Sequence, residues 1–210
     1  MTSIAPGRLI AFEGIDGCGK STQAGLLAGR LDALLTFEPG ATSLGASLRD
    51  LLLHRGQLVS ERSEALLMAA DRAQHVAEVV RPALERGTWV VTDRFSASTL
   101  AYQGFGRGLD RAELIRLIEW ATGGLRPDLT VLVDVPPHVA RARRDGTTED
   151  RFEGAGAEFQ RRVVDGYRTL ASEPTWPWLV VDGTGSVEEV AAAVWSGLHD
   201  SIGWGGGDGH

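Results

Sequence analysis

An α/β chain, with one parallel sheet and helices on both of its faces, is the fold class this sequence predicts. Three observations carry the expectation. Short unbroken apolar runs recur along the 210 residues, helical patterns fill the gaps between them, and a glycine-rich loop joins the first run to the first helix.

Four runs are strong: Leu9-Ile10-Ala11-Phe12, Trp89-Val90-Val91, Val131-Leu132-Val133 and Trp178-Leu179-Val180-Val181. None alternates strictly, so each reads as a strand buried on both faces. Leu34-Leu35-Thr36-Phe37 is a fifth, weaker strand. An acid follows each strong run within two residues: Glu13, Asp93, Asp134 and Asp182. Open parallel sheets bind ligands beyond the carboxyl ends of their strands, so these acids are candidates for metal or ligand contact. For Asp134 and Asp182, capping the next helix is an equally good reading.

Helices are expected over 21–31, 44–54, 60–86, 110–122, 137–144, 157–171 and 187–198. Pro82 should kink or break the longest of them. The helix over 110–122 places Leu114, Leu117 and Ile118 on one face. Pro137 suits a first helical turn. No repeat or linker divides residues 1–202, which read as one domain. The tail from Gly203 to His210 is mostly glycine and is expected to be disordered.

Composition removes several functions. One cysteine, Cys18, cannot form an internal disulfide, and with five scattered histidines it makes a zinc cluster a poor expectation. A net charge of -7 argues against a nucleic-acid backbone as the main partner. No apolar run approaches a membrane span, and Met1 to Arg8 has no signal-peptide core, so a cytoplasmic protein is expected. Of 21 basic residues 20 are Arg, and the single lysine is Lys20.

Lys20 lies in Gly14-Ile15-Asp16-Gly17-Cys18-Gly19-Lys20-Ser21, which fits G-x-x-x-x-G-K-[ST] between a strand and a helix. By residue frequencies, a chance match arises in roughly one such chain in five hundred. Glycines let the backbone N–H groups curl around a phosphate, and the following helix adds partial positive charge. The expected ATP site is Gly14, Asp16, Gly17, Cys18, Gly19, Lys20, Ser21 and Thr22. Lys20 would reach the β- and γ-phosphates, and Ser21 would ligate Mg²⁺. Cys18 reads as loop filler. A guanine-nucleotide switch is poorly supported, because the chain has no Asn and its only Lys is already used. A small phosphotransferase fits best.

The segment Thr92-Asp93-Arg94-Phe95-Ser96-Ala97-Ser98-Thr99-Leu100-Ala101-Tyr102-Gln103-Gly104 resembles the signature of bacterial thymidylate kinases. Ala70-Asp71-Arg72-Ala73-Gln74-His75, Arg126-Pro127-Asp128, Asp134-Val135-Pro136-Pro137 and Asp150-Arg151-Phe152-Glu153 extend the resemblance over nearly the whole chain. It implies a nucleoside-monophosphate-kinase fold with a five-stranded sheet, ATP-dependent phosphorylation of dTMP to dTDP, Mg²⁺ and a homodimer. Asp93 would hold Mg²⁺ or orient the acceptor, and Asp16 would lie near the metal. Arg94 and Arg49 would grip the acceptor phosphate. Arg72 would meet the base carbonyl, Ser98 or Thr99 the ring nitrogen, and Gln103 the base, while Tyr102 would crowd a ribose 2′ position. Glu38, in Glu38-Pro39-Gly40, belongs to the acceptor set. A mobile lid over about 141–155 would bring a catalytic arginine, Arg151 first and Arg143 next.

Two positions depart from the family pattern. Phe37 stands where an Arg is implied to touch the acceptor phosphate, a contact of about 1.5–3 kcal/mol. Met68 stands where a Phe is implied to stack on the base, worth about 1–3 kcal/mol. The stretch from Ser21 to Thr36 also looks shorter than usual. These changes raise an alternative: a kinase for a different or modified nucleoside monophosphate. A nucleotide-binding regulator without catalysis, and a phosphotransferase for a small metabolite, are weaker alternatives.

Overall fold

The computed structural model describes residues 7–53, 59–144, 152 and 156–202. Five strands form one sheet: β1 (Leu9–Glu13), β2 (Leu34–Phe37), β3 (Val90–Asp93), β4 (Leu129–Asp134) and β5 (Trp178–Asp182). Their order is β2-β3-β1-β4-β5 and every pairing is parallel. All five predicted strands are present. β1 is buried at every position, which is why its sequence does not alternate.

The helices are α1 (Lys20–Leu31), α2 (Ser43–Leu53), α3 (Glu61–His75), α4 (Arg81–Glu85), α5 (Ser96–Thr99), α6 (Arg111–Thr122), α7 (Pro137–Arg143), α8 (Ala157–Ser172) and α9 (Val187–Ile202). Alternate residues of β1 feed opposite faces of the sheet. Leu9 and Ala11 join Val76, Val80 and Ala83 in one cluster, whereas Ile10 and Phe12 join Ala24, Leu27 and Ala28 of α1 in a larger one. Both faces are therefore covered by helices. No helix among the described residues is long and apolar enough to cross a membrane.

Two elements differ from expectation. The break expected at Pro82 is a π-helical stretch, Val76–Val80, lying between α3 and α4. There the Arg81 N–H donates to the Val76 carbonyl, and Pro82 then enters α4 in its first turn. The wide turn absorbs the break ahead of the residue that lacks an N–H. The second difference is a helix the sequence did not announce, α5 with a π-helical continuation over Leu100–Gly106. Its small polar start, Ser96-Ala97-Ser98-Thr99, is buried throughout and shows no amphipathic period.

Candidate functional site

The carboxyl ends of β1 and β3 lie side by side, with Phe12 in register with Asp93. The glycine-rich loop leaves β1 there and enters α1 at Lys20. Gly14 and Gly17 have φ of 140° and 85°. A Cβ on Gly17 would also sit 2.3 Å from the Ala140 carbonyl oxygen, so α7 packs directly on the loop. Gly19 begins α1 without a side-chain cap, and the first turn holds no acid, so its N–H groups are left to an anion.

Lys20 is buried against the loop. Its Nζ lies 3.2 Å from Asp16 Oδ1 and 3.4 Å from the Ile15 carbonyl oxygen. Asp16 Oδ1 also accepts from Arg94 Nη2 at 2.6 Å. Burial opposes the charge on Asp16, but Arg94 and Lys20 outweigh it and hold the carboxyl well below the usual carboxylate range. Thr22 is exposed beside Ser21 at the start of α1. The Ser21 hydroxyl donates to Asp93 Oδ2. The other oxygen, Asp93 Oδ1, is buried without a hydrogen-bond partner. Cys18 is buried, and burial raises its thiol pKa, in keeping with loop filler.

Arg94 follows β3 with φ of 74°, a left-handed backbone rare for a side-chain-bearing residue. Glu13 explains how the turn is held. Its Oε1 accepts the Phe95 and Ser98 N–H groups at 2.9 and 3.0 Å, and its Oε2 accepts the Ser98 and Tyr167 hydroxyls at 2.6 and 2.9 Å. Glu13 is thus a wholly buried staple rather than a ligand contact, and burial raises its pKa. Asp134 and Asp182 likewise leave the candidate list. Asp134 accepts from Arg168 at 2.9 and 3.2 Å, and Asp182 accepts from the N–H and hydroxyl of Thr184. Neither caps a helix; Ser186 and Glu189 form the capping box of α9.

A cleft of about 560 Å³ opens beside Asp16. Glu38, Arg49, Met68, Arg72, Arg94, Ser98, Thr99, Tyr102 and Gln103 all line it, so all nine expected acceptor-site residues converge. Pro39, Leu53 and Phe152 complete the wall, and sequence reasoning had not singled them out as contacts. Phe37 does not line the cleft; it is 45% exposed at the end of β2. Arg49 Nη1 donates to the Pro39 carbonyl at 2.7 Å. Gln103 donates to Glu64 Oε1 at 2.7 Å.

Arg72 is 2% exposed, and each of its three guanidinium nitrogens makes a hydrogen bond. Nε donates to Glu38 Oε2, Nη1 to Thr99 Oγ1 and Nη2 to the Phe95 carbonyl, each at 2.8 Å. No acid lies three or four residues from Arg72 along its own helix; its partner comes from the loop after β2. Tyr167 was also missed. It lies 73 positions beyond Arg94, yet its hydroxyl is 3.2 Å from Arg94 Nη1 and 2.9 Å from Ser98 Oγ. Burial pushes the Tyr102 and Tyr167 hydroxyls far up, so both stay protonated.

Arg143 reaches the loop from α7, with Nη1 3.2 Å from the Cys18 carbonyl oxygen and Nη2 3.4 Å from that of Thr184. Arg151 and most of the expected lid over 141–155 lie outside the described residues, as does the tail from 203.

The protein-family model for thymidylate kinase matches residues 12–194. A thymidylate kinase of Leifsonia xyli is 52% identical over 196 residues, covering 90% of this chain and 93% of that protein. One from a Synechococcus strain is 48% identical over 208 residues, covering 93% and 99%. The crystal structure of thymidylate kinase from Ehrlichia chaffeensis superposes with a TM-score of 0.75 at 33% identity, covering 92% of this chain and 99% of that one. The family model spans most of the chain and these relatives are matched over nearly their full length, so the chain belongs to the thymidylate kinase family.

Proposed function

We propose that this chain transfers the γ-phosphoryl group of ATP to dTMP, giving ADP and dTDP. The observation that carries the reading is the junction at Asp16, where the phosphate loop and the wall of the acceptor cleft share one carboxylate. The loop N–H groups and Lys20 hold the donor phosphates. Arg94 and Arg49 take the acceptor phosphate, and Arg72, Ser98, Thr99 and Gln103 meet the base. Met68 packs on the base, and Tyr102 closes the sugar side. No covalent intermediate is needed; in-line positioning and neutralisation of the phosphoryl oxygens supply the rate.

A divalent cation fits the donor side. Asp93 Oδ1 is a buried acceptor without a partner, next to the Ser21 hydroxyl. No cluster of three or more His, Cys, Asp or Glu exists among the described residues, so phosphate oxygens would complete the shell. Ser21 and Asp93 would hold Mg²⁺, with Asp16 nearby keeping Lys20 and Arg94 in place. Bound there, the ion would draw charge from the β- and γ-oxygens.

We infer one cytoplasmic kinase domain over residues 1–202, with Arg151 and Arg143 of the lid adding positive charge over the transferring group; the family match over residues 12–194 supports the reading. A homodimer fits the exposed apolar side chains Leu66 of α3 and Trp120 of α6, which are 59% and 85% accessible. A different or modified acceptor is not favoured: the relatives named above are thymidylate kinases, and Phe37 stands outside the cleft.

Steady-state turnover with ATP and Mg²⁺ across dTMP, dUMP, dCMP and purine monophosphates tests the proposal. dTMP is expected to show the highest kcat/KM. A higher value for any other acceptor would replace the substrate assignment.

A further inference from the structure

We propose that His75, which lies outside the cleft, is a positioning residue for the acceptor: it holds Glu38, and Glu38 holds Arg72. The inference rests on the kinase reading above and adds a residue to it. His75 is the last residue of α3 and is wholly buried. Its Nδ1 lies 2.8 Å from Glu38 Oε1, and its Nε2 lies 2.7 Å from Thr36 Oγ1. Glu38 Oε2 accepts from Arg72 Nε at 2.8 Å, and Arg72 Nη1 reaches Thr99 Oγ1 at 2.8 Å. A single chain of hydrogen bonds therefore runs from β2 to α5 behind the cleft. Glu38, Arg72 and Thr99 line the cleft, whereas His75 and Thr36 do not.

The chemistry gives the chain a direction. An ionised carboxylate only accepts, so the ring nitrogen facing Glu38 carries the hydrogen. In the neutral ring the other nitrogen accepts from the Thr36 hydroxyl. In that tautomer His75 donates to Glu38 Oε1 while the Thr36 hydroxyl can donate to Nε2.

The need for His75 follows from where Glu38 sits. It is the first residue of the loop Glu38-Pro39-Gly40, beyond the end of β2. Arg72 grips only one of its oxygens. With Oε1 unheld, the carboxylate is free to turn about its terminal torsion, and the Arg72 plane would lose its reference. α3 also holds this loop a second time, because Asp71 Oδ1 accepts the Gly40 N–H at 3.0 Å. Both hydrogen-bond partners of the His75 ring, Glu38 and Thr36, lie at the end of β2 and not in the phosphate loop, so its effect falls on acceptor binding and not on turnover.

The test is steady-state kinetics on the full chain, with dTMP varied at saturating ATP. His75→Asn places a side-chain N–H near the Nδ1 position and retains a donor for Glu38. His75→Gln places its amide near Nε2 and retains only the Thr36 side. His75→Gln should raise the KM for dTMP about tenfold, the loss of one hydrogen bond to a charged group, with kcat and the ATP KM within about twofold. His75→Asn should stay within about threefold of the parent KM. Equal dTMP KM values in the two variants, or a fall in kcat at unchanged KM, would overturn the proposal. A parent chain that does not phosphorylate dTMP refutes the kinase reading itself, before any variant is compared. Thr36→Val removes only the outer hydroxyl at nearly constant volume and carries the test if the His75 variants do not fold. It should raise the dTMP KM about two- to threefold, and an unchanged KM counts against the chain.

Discussion

The glycine-rich loop and the proposed acceptor cleft meet at Asp16 but are built in different ways. The loop is eight consecutive residues whose shape is written in its glycines, and its working groups are largely its own backbone N–H groups and one lysine. The cleft is assembled from the β2 loop, α2, α3, α5 with its continuation, and Phe152. Its polar groups are long side chains that need partners from other elements to stay in place. The loop can therefore lose a side chain and keep its form, whereas the cleft cannot.

Lys20→Ala should show the largest loss of activity. Removing one preorganised cation from a phosphoryl-transfer site lowers kcat by about 10²–10³-fold or more. Asp16 keeps Arg94 as a partner, so the urea midpoint should barely move. A variant that unfolds would erase the distinction between the two regions.

Arg72→Ala sharpens it from the other side. It leaves Glu38 buried at 5% exposure without its cation. Breaking one partner from a buried pair costs about 3–5 kcal/mol, so equilibrium denaturation should show a loss of that size together with weaker dTMP binding. A variant that loses binding with unchanged stability would make the cleft as locally built as the loop.

The smallest effect concerns Asp71, on the cleft side only. Burial, and then the Glu38 charge, raise its pKa from 3.8 to about 6. The folded state therefore holds this proton more tightly than the unfolded state does. Stability from this group is present below about pH 4 and is lost as pH rises through about 6. Asp71→Asn removes that slope and keeps an acceptor for the Gly40 N–H. Its urea midpoint should exceed that of the parent at pH 7.5, and the gap should close near pH 4. A gap independent of pH would assign the raised pKa to the wrong residue.

The same contrast explains what could be read in advance. Gly14 to Ser21 is contiguous and carries its own mechanism, so motif spacing was enough. Buried parallel strands leave unbroken apolar runs, and all five were found. The nine residues proposed for the acceptor were named through family resemblance, and one cleft gathers every one of them. Composition alone would not have reached Arg72, because its acid lies 34 positions away. Glu13 shows the opposite error. An acid at a strand end matches the pattern of a ligand contact, but its four donors come from residues 82 to 154 positions away.

From residue order alone follow the parallel α/β class, the phosphate loop and the single lysine that serves it. These rest on local rules: glycine's access to positive φ, the periodicity of apolar side chains, and the fixed spacing of a motif. Folding settled that Asp93 keeps one oxygen unpartnered while Glu13 becomes a staple, that Phe37 stands outside the cleft while Met68 lines it, and that His75 stands behind Glu38. A buried polar group must find a partner wherever the packed chain supplies one, and sequence distance places no limit on where that partner comes from.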